Sequence, residues 1–159
     1  MRKSGSLFRI KRRWLVSDAS AIPSIPQNLG TLVVDKYLSN TKLRLRRLSY
    51  SSGHSEYELW RFNGSFEEDD EKFDLMEVSE SEFTALSTLS GTEVRKLLHP
   101  FSGGHVHIFE QKVKPIIVFS MEFESKYAAI HFMTPKFVTR ELSTYTFEFS
   151  GWALSNSAA

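Results

Sequence analysis

The sequence predicts a mainly β protein of the α+β class: about eight antiparallel strands in a closed or nearly closed barrel with a few peripheral helices. Three observations predict it. Runs that alternate apolar with charged residues recur along the chain, and short turns rich in Gly, Ser or Asn join most of them. A capping-box start for a helix occurs once, after the fifth run. In several runs the charges share one face, so closing such a sheet around them would create a polar lumen.

Phe8 to Val16 sets the pattern. Arg9, Lys11 and Arg13 fall on one face of an extended strand, Phe8, Ile10 and Trp14 on the other, and Arg12 alone breaks the alternation. Three adjacent cations repel one another and lose hydration if buried, so this face needs water, carboxylates or a bound anion. Residues 17–29 carry the prolines and small polar residues of a loop. A β-branched and aromatic run, 31–38, ends at a Ser39-Asn40 turn. Beyond it Leu43 and Leu45 alternate with Lys42, Arg44 and Arg46, a second basic face. After the Ser51 to Gly53 turn, 54–64 reads as a strand with Glu56, Glu58, Trp60 and Phe62 in phase and Tyr57 and Leu59 opposed.

The acidic run Glu67 to Glu71 reads as a solvated loop, with a cation site as the other reading. Strand 72–78 follows, and Ser79-Glu80-Ser81-Glu82 opens a helix expected over Glu80 to Ser90, with Phe83, Leu86 and Leu89 as its buried stripe. Residues 92–101 form another strand, closed by Pro100 and the Ser102-Gly103-Gly104 turn. Then 105–113 and 116–125 make a hairpin about Lys114-Pro115, the second strand carrying Ser120, Glu122 and Glu124 in phase. Residues 126–132 look helical, 133–137 extended, and Arg140 to Ser143 leads into a segment ending FSGWAL.

Composition narrows the function classes. The chain of 159 residues is 41% hydrophobic, enough for one domain with its own core. With no cysteine, thiolate zinc sites, disulfides and a cysteine nucleophile are excluded. No apolar run reaches the roughly 20 residues of a membrane helix, and the basic start lacks an apolar signal region, so a cytoplasmic protein with no membrane partner is expected. Net charge is only +1, which leaves no footprint for a nucleic-acid polymer. His105 and His107 share a strand face, and His99 lies nearby, but two imidazoles near a turn fit ordinary hairpin histidines better than a metal site. The run 102–104 is hairpin chemistry, since no helix start or lysine follows as a phosphate loop requires. Trp60 and Phe62 amid bases could stack on a nucleobase, although core packing is the commoner reason for such aromatics.

These runs resemble the CYTH domain family, the triphosphate tunnel metalloenzymes, in order and spacing. Arg9-Ile10-Lys11-Arg12-Arg13-Trp14-Leu15-Val16 stands where that family opens with Glu-x-Glu-x-Lys-Phe-Leu-Val. VVDKYL, Val33 to Leu38, resembles its second strand with Asp35 in place of glutamine, and Leu43-Arg44-Leu45-Arg46 is similar to its Leu-Arg-x-Arg signature. VRKLLH at 94–99, VHIFE, IIVFSMEFES, Glu141 and FSGWAL extend the likeness from about residue 8 to 154. The resemblance implies a single CYTH-like domain over 1–159, its core from about residue 7 to 155, and an eight-stranded tunnel for a triphosphate. In active members, glutamates hold magnesium or manganese while lysines and arginines hold phosphates, so that cations answer the charge developing on the transferred group.

The departures fall on the metal side. Arg9 and Lys11 replace both opening glutamates, and Arg13 replaces the lysine. A divalent ion has no reason to sit beside three bases. A tunnel lysine at the end of the fourth strand aligns with Phe62 or Arg61, Met76 stands at an acidic position, Leu98 where arginine is expected, His107 at an aspartate and Ser120 at a glutamate. The expected function is a divergent tunnel protein without metal-dependent catalysis. It would bind triphosphate, polyphosphate or nucleotide through Arg9, Lys11, Arg13, Arg44, Arg46 and Lys96, with no cofactor. One alternative is an active triphosphatase or class IV adenylate cyclase-like enzyme holding magnesium or manganese on Asp74, Glu122 and Glu141. The other is a structural or interaction domain whose lumen is filled by its own salt bridges, the same carboxylates pairing with the first strand's bases.

Overall fold

In the computed structural model, strand β1, Gly5–Val16, serves two neighbours in turn. The structure describes residues 4–17, 20, 22, 30–63, 70–112, 114–142 and 154, with the side chains of 7, 8, 70 and 71 excepted. The remaining elements are β2 Thr31–Leu38, β3 Leu43–Ser49, β4 Ser55–Phe62, β5 Asp70–Glu77, α1 Glu80–Leu86, β6 Gly91–Phe101, β7 Gly104–Phe109, β8 Ile116–Phe123, α2 Lys126–His131 and β9 Arg140–Glu141. All strand pairings are antiparallel, in the order β5-β4-β3-β2-β6-β7-β8-β1-β9, with a further pairing of β5 with β1. Residues Gly5 to Ile10 of β1 pair with β5, and Ile10 to Val16 pair with β8. The sheet therefore rolls back on itself through a split seam, and no full-length strand pair closes it. The expectation of eight strands is corrected to nine among the described residues, because Arg140 and Glu141 add a short strand beside Leu15 and Trp14.

Register carries the alternation around the whole sheet. Asp35 lies opposite Arg46 and Val94, Tyr37 opposite Arg44, Arg46 opposite Glu58, and Arg44 opposite Trp60. Val33 lies opposite Lys96, Lys96 opposite Phe109, His105 opposite Ser120, and Ser120 opposite Arg13. Directly opposed residues share a face, so these side chains all point inward. At one end Tyr37, Val94, Phe109 and Val118 pack with Leu142 and Leu154, with Leu15 and Ile116 against them, which makes that part of the interior apolar. On β4 and β5, Trp60, Phe62, Phe73 and Leu75 form a second interior cluster. The aromatics considered for base stacking are thus core residues.

The outer face has its own core. Trp14, Val16, Val106 and Phe119 bury against Phe132, Phe137 and Val138, with Trp14 and Phe119 stacked at 5.8 Å between ring centres. Such pairs contribute about 0.5–1.5 kcal/mol beyond burial. Arg12, which broke the alternation, belongs here: its guanidinium donates to the carbonyls of Ala129 and Phe132, both at 2.9 Å, and pairs with Glu141. It ties the end of α2 to the sheet.

Turn chemistry agrees with the sequence. Asn40 and Ser102 sit at positive φ, 59° and 50°, in tight hairpin turns, and a Cβ at Gly104 would run into the Ser120 carbonyl oxygen. The capping box forms as expected, Glu82 N–H donating to Ser79 Oγ and Ser79 N–H to Glu82 Oε1. The helix after it is shorter than expected, ending at Leu86, and Leu89 is 49% exposed. Phe83 still packs on Tyr57, ring centres 4.8 Å apart, so only the first half of the expected stripe meets the sheet. Among the described residues no helix is long and apolar enough to cross a membrane. The expectations for residues 23–29, for Glu67 to Asp69 and for most of the C-terminal segment lie outside the described residues.

Candidate functional site

Three strands bring the predicted bases to one interior. β1 contributes Arg9, Lys11 and Arg13, β3 Arg44 and Arg46, and β6 Lys96; Arg13, Arg44 and Arg46 are buried. β2 adds a carboxylate, Asp35, which was read only as a substitution for glutamine. Its two oxygens accept from Arg46 Nε at 2.7 Å and Nη2 at 2.9 Å, a bidentate fork, while Arg44 Nε stands 3.9 Å from Oδ1. Burial works against the Asp35 charge, but Arg46 and then Arg44 outweigh it and hold the carboxyl at about 2. Next to it burial first, and then Asp35, push the Tyr37 hydroxyl up to about 12, so it stays protonated.

Trp60 is the platform for the bases. The guanidinium carbons of Arg44, Arg46 and Arg9 lie 4.5, 5.1 and 5.3 Å from its ring centre. Cations over a desolvated indole are stabilised by about 2 kcal/mol or more, which helps three of them share a small space. The indole Nε1 donates to Glu58 Oε1 at 3.0 Å, and Glu58 is 1% exposed. In-phase spacing with Trp60 and Phe62 was the sequence signal for this buried acid; its neighbours were not legible.

Opposite lies a hydrogen-bonded chain. Lys96 Nζ is 3.0 Å from His107 Nδ1, and His107 Nε2 is 2.7 Å from Ser120 Oγ. An ammonium only donates, so with Lys96 charged His107 carries its proton on Nε2 and donates it to Ser120. Burial lowers the His107 basicity well below the ordinary range, and Lys96, Lys11, Arg13 and His105 lower it further. Lys96 is likewise pulled well down, by burial first and then by Arg46, with Lys11 and Arg44 adding to it against Asp35. Both groups therefore sit in a positive field.

The three weak metal candidates do not come together, and each is corrected. Asp74 is exposed on β5 between the inward residues Phe73 and Leu75; it accepts from Ser6 Oγ at 2.9 Å and from Asn63, which lowers its pKa. Glu141 lies opposite Trp14 on the outer face and pairs with Arg12. Only Glu122 has the inward phase, and there its exposed carboxylate meets Arg9 at 3.2 Å. So one of the three carboxylates pairs with the first strand's inward bases. His99 points to the outer face opposite Val106, away from His107. Among the described residues no three of His, Cys, Asp or Glu could share a metal ion. One inward carboxylate already paired with a guanidinium does not fit the oxygen shell a hard divalent ion requires.

No protein-family model matches this sequence, and no curated protein matches it. Solved structures do. Two structures of NE1496, one described as a hypothetical protein and one as an inorganic triphosphatase, superpose with TM-scores of 0.57 and 0.56. Sequence identities are 18% and 19%; each alignment covers 92% of this chain, and 97% and 93% of the neighbour. At such identity the likeness is one of fold alone: the chain shares the fold of the two NE1496 structures, in line with the resemblance read from its sequence.

Proposed function

We propose that this chain is a CYTH-like tunnel protein that binds phosphate-rich anions, such as triphosphate, polyphosphate or a nucleotide, through a basic lumen and without a divalent ion. The observation that carries the reading is the convergence of bases from β1, β3 and β6 on one interior, where burial first and then the neighbouring cations hold Lys96 and His107 well below their ordinary basicity. Among the described residues the inward bases Arg9, Lys11, Arg13, Arg44, Arg46 and Lys96 alternate with the inward-phase carboxylates Asp35, Glu56, Glu58, Glu77 and Glu122, and the bases are the groups that a polyanion would engage. Arginine forks suit phosphate oxygens, and by the resemblance Arg9 and Lys11 stand where active tunnel enzymes carry two glutamates, and Arg13 where they carry a lysine.

A second reading has its own support. The buried Asp35–Arg46 fork and the Arg9–Glu122 pair are internal ion pairs, as a self-filled structural lumen would have. Turnover of the kind named for the triphosphatase neighbour would need a carboxylate set that Asp74, Glu122 and Glu141 do not make. Titration calorimetry with tripolyphosphate at low salt separates these readings. Binding without magnesium, weakened when magnesium competes for the ligand, is expected; no heat under either condition overturns the proposal in favour of the self-filled lumen. Phosphate release with magnesium or manganese would instead support an enzyme.

A further inference from the structure

The outer face of the sheet carries a cavity of its own. Lys96 lies opposite Val33 and Phe109 on the inward side, so its neighbour Leu97 faces outward, directly opposite Leu32 on β2 and Ile108 on β7. These three side chains make an apolar floor about 10 Å across, two strand spacings. Arg95, Glu110 and Pro115 also line the cavity, whose volume is about 410 Å³. Apolar hollows of roughly 300–1,000 Å³ with a few polar groups are the usual form of small-molecule sites. Leu97 is 38% exposed. A polar residue would sit at such an outward position without loss, so the apolar row leaves surface that an occupant gains by covering.

The charged groups at the rim decide what that occupant carries. Arg95 Nε pairs with Glu110 Oε2 at 3.3 Å, the side chains 44% and 71% exposed, and an ion pair so open to water adds little to stability. The β7–β8 turn that supplies Glu110, Gln111 and Pro115 to the lining also carries Lys112 and Lys114, both exposed. Three bases therefore stand against one acid beside an apolar floor. A cationic ligand would have Glu110 alone to pair with, and a neutral one would leave the bases unused.

We propose that this cavity binds an amphiphilic carboxylate, its apolar body laid across Leu32, Leu97 and Ile108 and its carboxylate on Arg95 in place of Glu110. The guanidinium fork suits that group, and Glu110 exchanges an exposed partner for water at small loss. The site is separate from the lumen and independent of the anion-binding reading above.

Titration calorimetry on the full chain at neutral pH tests it, with octanoate as the probe and octylamine, 1-octanol and acetate as comparisons. Octanoate should bind one molecule per chain, at least about tenfold more tightly than octylamine or 1-octanol, the lower end for one charge-assisted hydrogen bond. Acetate, which lacks the tail, should give no measurable heat. Leu97→Asp sets a carboxylate in the floor and should abolish binding, Arg95→Gln should weaken it about tenfold, and Glu110→Gln should strengthen it. All three positions are exposed, and thermal melting checks that the variants fold. Saturating tripolyphosphate should leave the octanoate affinity within about twofold, as expected of a site outside the lumen. Absence of octanoate binding, more than one octanoate per chain, or equal binding of octanoate and octylamine overturns the proposal on the wild type alone. So does unchanged affinity in a folded Leu97→Asp or Arg95→Gln, or displacement of octanoate by tripolyphosphate.

Discussion

Asp35→Asn separates a lumen that binds anions from one that is only stapled shut. The substitution keeps the side-chain shape and removes the charge that Arg46 grips through Nε and Nη2, with Arg44 close by. The drop of the Asp35 carboxyl from 3.8 to about 2 corresponds to roughly 2 kcal/mol favouring the ionised form in the fold. Removing one partner of a buried pair strands the other, at about 3–5 kcal/mol. The first figure is net of the burial that opposes the Asp35 charge, and the second includes the stranded guanidinium, so the loss should fall in the upper range. For a chain of this size that lowers Tm by roughly 6–20 °C. Urea unfolding and calorimetric melting measure it.

A depressed carboxyl contributes stability that is complete above 3.8 and lost as pH falls through about 2, so the difference between wild type and Asp35→Asn should narrow across that window. Asp35→Leu with Arg46→Met should recover much of the loss, because an apolar pair of similar volume replaces a buried ion pair at little net cost. Asp35→Asn alone also removes one negative charge from the lumen. If the lumen binds anions, Asp35→Asn should bind tripolyphosphate more tightly while being less stable, and the ligand should raise its Tm more than that of wild type. Stability within about 0.5 kcal/mol of wild type, the range of ordinary surface changes, would refute the buried-fork argument. Reduced stability with unchanged or absent tripolyphosphate binding would refute the link between this pair and an anion site.

Three further outcomes are expected. Tripolyphosphate binding should take up protons and tighten as pH falls, because neutralising Lys11, Arg13, Arg44 and Arg46 restores the basicity of Lys96 and His107; calorimetry in buffers of different ionisation heat measures the uptake, and His107→Gln should reduce it. Arg12→Ala should cost about 2–4 kcal/mol in urea unfolding by releasing the carbonyls of Ala129 and Phe132, yet leave tripolyphosphate affinity unchanged, since this guanidinium lies on the outer face. Ser79→Ala should cost about 1 kcal/mol by removing the Oγ that accepts from Glu82 N–H, while the backbone N–H at 79 still donates to Glu82, again with no effect on binding.

Much of the sheet was legible because strand alternation is a local property. Arg9, Lys11 and Arg13 needed only one-residue spacing to be placed on a common face, and Asn40 and Ser102 announced their turns through the residue types around them. Partner identity is not local. Asp35 meets Arg46 because β2 and β3 pair in one register of several that the 39–42 turn would permit. Glu141 was grouped with Glu122 by family position, but its register opposite Trp14 puts it outside, a fact held by the β9 pairing alone. The ninth strand was missed for the same reason: two residues carry no periodicity. Leu89 was placed in the α1 stripe by helical spacing, which fails once the helix stops at Leu86.

Two of the positions at which the resemblance leads one to expect acids are physically joined. His107 and Ser120, both standing where acids are expected, bond to each other across β7 and β8, and Lys96 on β6 closes the chain from the far side. Each would be a liability alone: a buried imidazole among cations, a hydroxyl with no partner, an ammonium without a counter-ion. Wired together, neutral His107 accepts from the lysine and donates to the serine, so both ring nitrogens are satisfied and no carboxylate is required to hold Lys96 in place. His107 and Ser120 thus hold Lys96 facing inward without a carboxylate of their own, and under the proposed anion-binding reading that ammonium is a contact the interior offers to a ligand.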